Sequence, residues 1–155
     1  MLKIAMLFSD HMVLQRNKPI PVWGEATPGS LVTVELDGTR METQAKENGQ
    51  WIVSLPPHDA GWGYCLQVWN GQEETKLQDV CIGDVWLAGG QSNMEYFLGF
   101  EQHFETVAAG PMNPLIRYFG YPQVAYEGQL EDYDYCNDGF WRCCTEKDLP
   151  YFSAA

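Results

Sequence analysis

The sequence predicts two structural segments, an antiparallel β-sandwich over residues 1–78 and the beginning of an α/β domain over residues 79–155. Regularly spaced turn signals and a period-two alternation of apolar residues support the first segment. The second rests on a change near Asp79 to a continuous apolar run that ends in two glycines. A chain of 155 residues is long enough for a small domain and part of another.

Turn dipeptides divide the first segment at intervals of about ten residues, the spacing of short strands in a sandwich or barrel. They are Pro28-Gly29, Asp37-Gly38, Asn48-Gly49, Ala60-Gly61 and Asn70-Gly71. Asp-Gly and Asn-Gly tolerate positive φ at both central positions of a tight turn, so they favour hairpins. Between the turns, apolar and polar residues alternate over residues 31–36, 51–55 and 64–69. Each run predicts a half-buried strand.

The second segment has a different pattern. Residues 85–88 are consecutively apolar, which suits a central strand of a parallel sheet that is covered on both faces. Gly110-Pro111 ends a predicted helix, and residues 115–119 predict another strand. Strand, helix and strand form a βαβ unit with a right-handed crossover. The apolar residues at helical spacing are Met94, Phe97, Leu98, Phe104 and Ala108.

Charge and composition exclude several classes of partner. The formal net charge is -12, with 21 acidic and 9 basic residues, which argues against nucleic acid and anionic membranes. No run approaches the ~20 apolar residues of a membrane span, and no signal peptide is recognisable, so a cytoplasmic location is expected. The five cysteines are irregularly spaced and predict reduced thiols rather than disulfides or a zinc site.

The acidic stretch "EDYDYCNDG" at residues 131–139 is a candidate calcium loop. Cys136 occupies a ligand position of that register, so a solvated acidic loop is the better interpretation. The sequence therefore predicts no metal site.

The stretch "VWLAGGQSNMEYF" at residues 85–97 carries the candidate chemistry. Ser92 follows the predicted strand end, Gly89 and Gly90 let a ligand approach the backbone closely, and the next helix offers free N–H groups for an oxyanion. Ser92 is therefore a candidate nucleophile. The alternative is structural: Ser92-x-x-Glu95 also fits a capping box. The motif differs from the G-x-S-x-G elbow, because Met94 replaces the second glycine.

"GDVWLAGGQSNME" resembles the nucleophile block of the SGNH-type esterases, specifically the sialate O-acetylesterase family. "FSDHMVLQRNKPIPVWGEATPGSLVTVEL" is similar to that family's N-terminal β-domain, and "NPLIRYF" and "FSAA" resemble later segments in the same order. The resemblance implies a flavodoxin-like, three-layer α/β domain after the β-sandwich. It also implies an enzyme that removes O-acetyl groups from sialic acids or related sugars without a cofactor. It assigns nucleophilic catalysis to Ser92, and binding of substrate and oxyanion to Gly90, Gln91 and Asn93.

The family's serine works with a downstream histidine in an Asp-x-x-His arrangement, which this sequence lacks. His103 lies about three helical turns beyond Ser92 on the predicted helix, too far to serve as its base. One βαβ unit cannot form a doubly wound sheet, so the second domain is expected to be truncated, inactive alone and prone to self-association.

A binding module is the alternative function. Four tryptophans of the first segment could form a platform that stacks on glycans, although tryptophan in a half-buried strand more often packs in the core. They are Trp23, Trp51, Trp62 and Trp69.

Overall fold

A computed structural model describes residues 1–90, 92–121 and 139–154. Its backbone contacts divide the chain into two compact units, residues 1–85 and 86–155. The sequence placed a boundary after residue 78, whereas the last strand of the first unit continues to Gly83. None of the described helices has the length and apolar character that a membrane span requires.

The first unit consists of eight strands in two sheets. One sheet has the order β1-β3-β6, and the other has the order β2-β8-β7-β4-β5. All pairs are antiparallel except β2 with β8, which is parallel. The prediction of a β-sheet segment is confirmed, with one parallel pair that was not predicted. The strands are β1 Leu2–Ile4, β2 Val13–Gln15, β3 Ile20–Ala26, β4 Leu31–Leu36, β5 Thr39–Gln44, β6 Gln50–Leu55, β7 Gly61–Trp69 and β8 Glu74–Gly83.

Alternation along the strands builds the core of this unit. In β6, Trp51, Val53 and Leu55 are buried, while Ile52 and Ser54 between them are exposed. The central strands of the larger sheet add further buried side chains, and each is worth about 1.5–3 kcal/mol relative to an exposed position. Those side chains include Val32, Val34, Leu66, Val68 and Val80.

Two glycines of the predicted turns lie where hairpins reverse, Gly38 between β4 and β5 and Gly71 between β7 and β8. Gly29, Gly38, Gly49 and Gly71 all have positive φ, between 74° and 85°, a conformation that glycine adopts without strain. The predicted turn at Ala60-Gly61 is wrong, because Gly61 begins β7.

Gly24 has a different role from the turn glycines, because it lies within β3, between Ile4 of β1 and Trp51 of β6. A Cβ atom at this position would clash with the backbone oxygen of Lys3 and would lie 2.9 Å from Cζ2 of Trp51. The close approach of three strands over the Trp51 ring therefore requires a residue without a side chain.

His58 joins two loops of the first unit. Its Nδ1 lies 2.7 Å from the carbonyl oxygen of Asp59, and its Nε2 lies 3.0 Å from the carboxylate of Asp37. The ring also packs edge-on against Tyr64. Both ring nitrogens face acceptors, so the geometry suits the doubly protonated imidazolium. The bond to Asp59 and then that to Asp37 raise the pKa of His58 above its ordinary value of 6.5.

We expect the thermal stability of the chain to fall between about pH 6 and pH 8 because of His58. A raised folded-state pKa stabilises fully below the unfolded pKa, and this contribution is lost as the pH rises through the folded value. The His58→Gln variant should show a smaller fall in unfolding temperature over this range. His103→Gln is the matched control, since it keeps the His58 contacts. Equal pH dependence in His58→Gln and the parent chain would contradict the prediction.

The described part of the second unit contains short elements only. They are α1 Ser92–Glu95, a 3₁₀ turn Leu98–Phe100, α2 Phe104–Ala108, β9 Arg117–Phe119, β10 Trp141–Cys143 and a second 3₁₀ turn Leu149–Tyr151. The two strands pair antiparallel. Trp141 and Leu149 are buried, and the Arg142 guanidinium stacks on Phe140 and Tyr151.

The predicted βαβ unit differs from this structure. Residues 84–90 form no strand, and Trp86 and Leu87 are 88% and 100% exposed. A strand needs a hydrogen-bonded neighbour, and none lies beside residues 84–90 within the described ranges. The single predicted helix is interrupted, because Phe97 has extended dihedrals and Gly99 packs against Pro150.

Candidate active site

Ser92 is the first residue of α1, and both it and Asn93 are exposed. Within the described ranges, the Ser92 hydroxyl takes part in no hydrogen bond. The backbone N–H of Glu95 does not bond to it, so the capping box that the tetrapeptide suggested is not formed there. The hydroxyl is therefore open to a ligand.

Gly90 and Asn93, two of the other predicted site residues, lie on either side of Ser92 in the chain. Gly90 precedes α1, and a Cβ atom there would clash with the side chain of Met94, so the small residue lets the chain turn tightly into the helix. A Cβ on Gly89 would meet nothing within 4 Å. Gln91 lies outside the described residues, as do Asp132, Asp134, Cys136 and Asp138 of the acidic stretch.

The residues after α1 are held by a later part of the chain. Leu98 donates its backbone N–H to the Phe152 carbonyl at 2.7 Å, and Ala154 donates to the Tyr96 carbonyl at 2.9 Å. An isolated bridge between Phe97 and Ser153 lies between these two bonds. Residues 96–98, which follow α1, and residues 152–154 are therefore neighbours in space.

The three histidines have partners other than Ser92. His11 Nδ1 lies 2.7 Å from the Asp79 carboxylate, and His58 bonds to Asp37. His103 precedes α2, and its ring nitrogen lies 2.9 Å from the side-chain amide of Gln102. Within the described ranges, no histidine reaches the serine, so no complete triad is assembled.

The four tryptophans do not form one platform. Trp51 is buried, and Trp23 packs edge-on against Phe8 with ring centroids 4.7 Å apart. The Arg40 guanidinium covers the ring of Trp69 at 4.8 Å. Trp62 is 69% exposed and is therefore the one of these four whose ring is largely open to solvent.

Three side chains that the sequence interpretation missed gather where β8 ends. Arg16 Nε donates to Asp84 Oδ1 at 2.9 Å, and one of its terminal nitrogens donates to Asp84 Oδ2 at 3.0 Å. The Gln15 side-chain oxygen accepts the backbone N–H of Val85 at 3.0 Å. The hydrogen bonds from Arg16 lower the pKa of Asp84 below its ordinary value, so the pair stays charged at neutral pH. The signal was present in the "VLQR" and "GDVW" blocks, but nothing in either block alone shows that they pair.

Comparison with known proteins finds relatives of this chain by sequence. The chain is 33% identical to a sialate O-acetylesterase from Pongo abelii over 104 residues, which cover 60% of this chain and 20% of the relative. Sialate O-acetylesterases from Mus musculus and Homo sapiens are 36% and 35% identical over the same length, covering 60% of this chain and 19% and 20% of theirs. The predicted resemblance to the sialate O-acetylesterases is confirmed. No family model matches the chain.

A solved structure supports the same relationship. A carbohydrate acetylesterase from Xanthomonas citri superposes with a TM-score of 0.82 at 35% identity, covering 98% of this chain and 34% of that protein. The chain thus spans about a fifth of the length of the curated sialate O-acetylesterases it matches and a third of the bacterial enzyme. The likeness to the bacterial acetylesterase extends over both units.

Proposed function

We propose that this chain is part of a serine esterase that removes O-acetyl groups from sialic acids or related sugars. The observation that carries the proposal is the open Ser92 hydroxyl in a block that resembles the family's nucleophile. The 35% identity to a carbohydrate acetylesterase over 98% of the chain supports the substrate class.

The proposed mechanism is acyl transfer. Ser92 Oγ attacks the acetyl carbonyl carbon while a histidine base takes the hydroxyl proton. Donors around Gly90, Gln91 and Asn93 hold the negative oxygen of the tetrahedral intermediate. The C–O bond to the sugar then breaks, and the histidine returns the proton to the leaving sugar oxygen. Water, deprotonated by the same base, hydrolyses the acetyl-serine ester and releases acetate.

The histidine and its aspartate are proposed to come from a longer chain, since the described residues supply neither to Ser92. We also propose that residues 85–88 become a strand of a three-layer SGNH-type sheet in that longer chain. Support comes from their apolar character and from the exposure of Trp86 and Leu87, which are costly to leave in water. Without that cover, the 155-residue chain should self-associate through this segment.

The proposal also covers the cellular location and the class of substrate. Cys65 and Cys144 are free thiols, which suits a reducing compartment such as the cytoplasm. The excess of acidic residues suits a sugar substrate better than nucleic acid or an anionic membrane surface.

Acetate release tests the proposed function. The longer protein should liberate acetate from O-acetylated sialic acid, whereas the 155-residue chain should act barely above buffer because Ser92 lacks a base. Acetylated xylan is the companion substrate and reports which sugar the enzyme prefers.

A glycan-binding module is the second candidate, favoured by the open Trp62 ring. Such a module would bind the sugar without releasing acetate, and Trp62→Ala would abolish the binding. Binding without turnover in the longer protein would overturn the esterase proposal.

A further inference from the structure

Arg16, Gln15 and Asp84 form a group that we name the exit clamp. It lies where the chain leaves β8, and all of its bonds are within the first unit. Two parallel hydrogen bonds join the Arg16 guanidinium to the Asp84 carboxylate. A third bond joins the Gln15 side-chain oxygen to the N–H of Val85.

The backbone around the exit clamp is held in register as well. Strand β2 pairs with β8 so that Gln15 lies opposite Gly83. The Arg16 N–H then donates to the Gly83 carbonyl at 2.9 Å. The clamp therefore fixes residues 83–85 through both main-chain and side-chain bonds.

The exit clamp contributes little to folding stability. About half of each ionic side chain is exposed, at 42% for Arg16 and 53% for Asp84, so water and salt screen their attraction. A bidentate pair between a guanidinium and a carboxylate adds orientation more than energy, because two parallel bonds allow one relative placement of the two planes. The Arg16–Asp84 pair is therefore suited to orienting the chain at Asp84 rather than to stabilising the fold.

The position of the exit clamp in the chain indicates which segment it orients. Ser92 lies seven residues beyond Val85, and glycines occupy positions 89 and 90 of the intervening segment. We infer that the exit clamp positions the start of this segment so that the Ser92 hydroxyl meets its substrate, with Arg16 and Gln15 as positioning residues. The inference rests on the proposed function, and it assigns these two side chains no contact with substrate.

Misplacing a nucleophile by about 1 Å can lower the rate by about 100-fold. In the longer protein, Arg16→Lys keeps the charge but loses the bidentate geometry, so we expect kcat to fall about 10-fold or more while KM changes less than about twofold. Asp84→Asn should behave in the same way.

Arg40→Lys is the matched control. Arg40 also pairs with a carboxylate, that of Glu35, on an exposed part of the first unit, but Glu35 does not adjoin the serine segment, whereas Asp84 directly precedes Val85. It should change the unfolding temperature about as little as Arg16→Lys does and leave kcat unchanged. Equal kcat values in the two variants, whether both normal or both reduced, would overturn the inference.

A second measurement does not depend on activity. In the 155-residue chain, Gln15→Leu removes the acceptor of the Val85 N–H. Arg16→Lys removes the bidentate hydrogen bonds to Asp84, the residue that precedes Val85. Both variants should speed hydrogen exchange at the Val85 amide several-fold while leaving the Val68 amide in the sheet unchanged. Unchanged exchange at Val85 would show that the clamp does not hold this residue.

The two proposals fail differently. If Ser92→Ala leaves acetate release intact in the longer protein, the proposed function is wrong. If Ser92→Ala abolishes release and Arg16→Lys retains the parental kcat, the esterase stands and the exit clamp is a surface ion pair.

Discussion

Replacing Ser92 by alanine in the proposed longer esterase is expected to lower the rate of acetate release by a factor on the order of 10⁴–10⁶. The hydroxyl would form the acetyl-enzyme ester, and no neighbouring nucleophile of the described segment replaces it. The free energy of unfolding should change by less than ~1 kcal/mol. The side chain is exposed and makes no hydrogen bond within the described ranges, and α1 is only four residues long.

Release of acetate from O-acetylated sialic acid and thermal unfolding measure the two effects of Ser92→Ala. Ser54→Ala is the matched control, because Ser54 is an exposed serine of β6 in the first unit. It should retain the parental rate and stability. An unfolded Ser92→Ala variant would return the residue to its alternative role as a helix cap. An unchanged rate would remove it from the mechanism.

Replacing Gly24 by alanine should destabilise the first unit by about 1–3 kcal/mol or more. The added methyl group meets the Lys3 carbonyl oxygen and the Trp51 ring. The oxygen belongs to the backbone of a paired strand, so relief requires β1 to move away from β3. The shift would also disturb Trp51, which is 2% exposed.

Urea unfolding of Gly24→Ala should show a lower midpoint with an unchanged slope, which identifies a change in stability rather than in the unfolded chain. Gly83→Ala is the control, since a Cβ there meets only Cγ1 of Val13 at an ordinary distance of 3.6 Å. Its free energy of unfolding should stay within about 0.5 kcal/mol of the parent value. Equal midpoints for the two variants would mean that β1 moves away from β3 without lowering the free energy of unfolding.

The strands could be predicted where burial alone sets the pattern. In β4 and β6, alternate residues face the core, and that period is visible in the sequence. The turns at Gly38 and Gly49 were equally predictable, because positive φ selects glycine. These features depend on residues close together in the chain.

The features that were missed depend on distant partners. The parallel pairing of β2 with β8 leaves no mark in a three-residue strand. The need for glycine at position 24 comes from the Lys3 carbonyl. Residues 85–88 have the composition of a buried strand, yet composition does not say whether a neighbouring strand is present. Within the candidate site, a sequence motif was enough to propose Ser92. The contacts of the exit clamp could be found only in the structure, because they join residues that are far apart in the chain.

The pairing of β2 with β8 has a consequence for the order of folding. Arg16 and Asp84 are 68 residues apart in the sequence, so their contact closes a large loop at a considerable entropic cost. Hairpins such as β4–β5 close much shorter loops and are expected to form earlier. During synthesis, β2 cannot pair with β8 until the residues of β8 have left the ribosome. The backbone at residues 83–85, where the chain leaves β8, is therefore expected to be among the last parts of the first unit to take its native form.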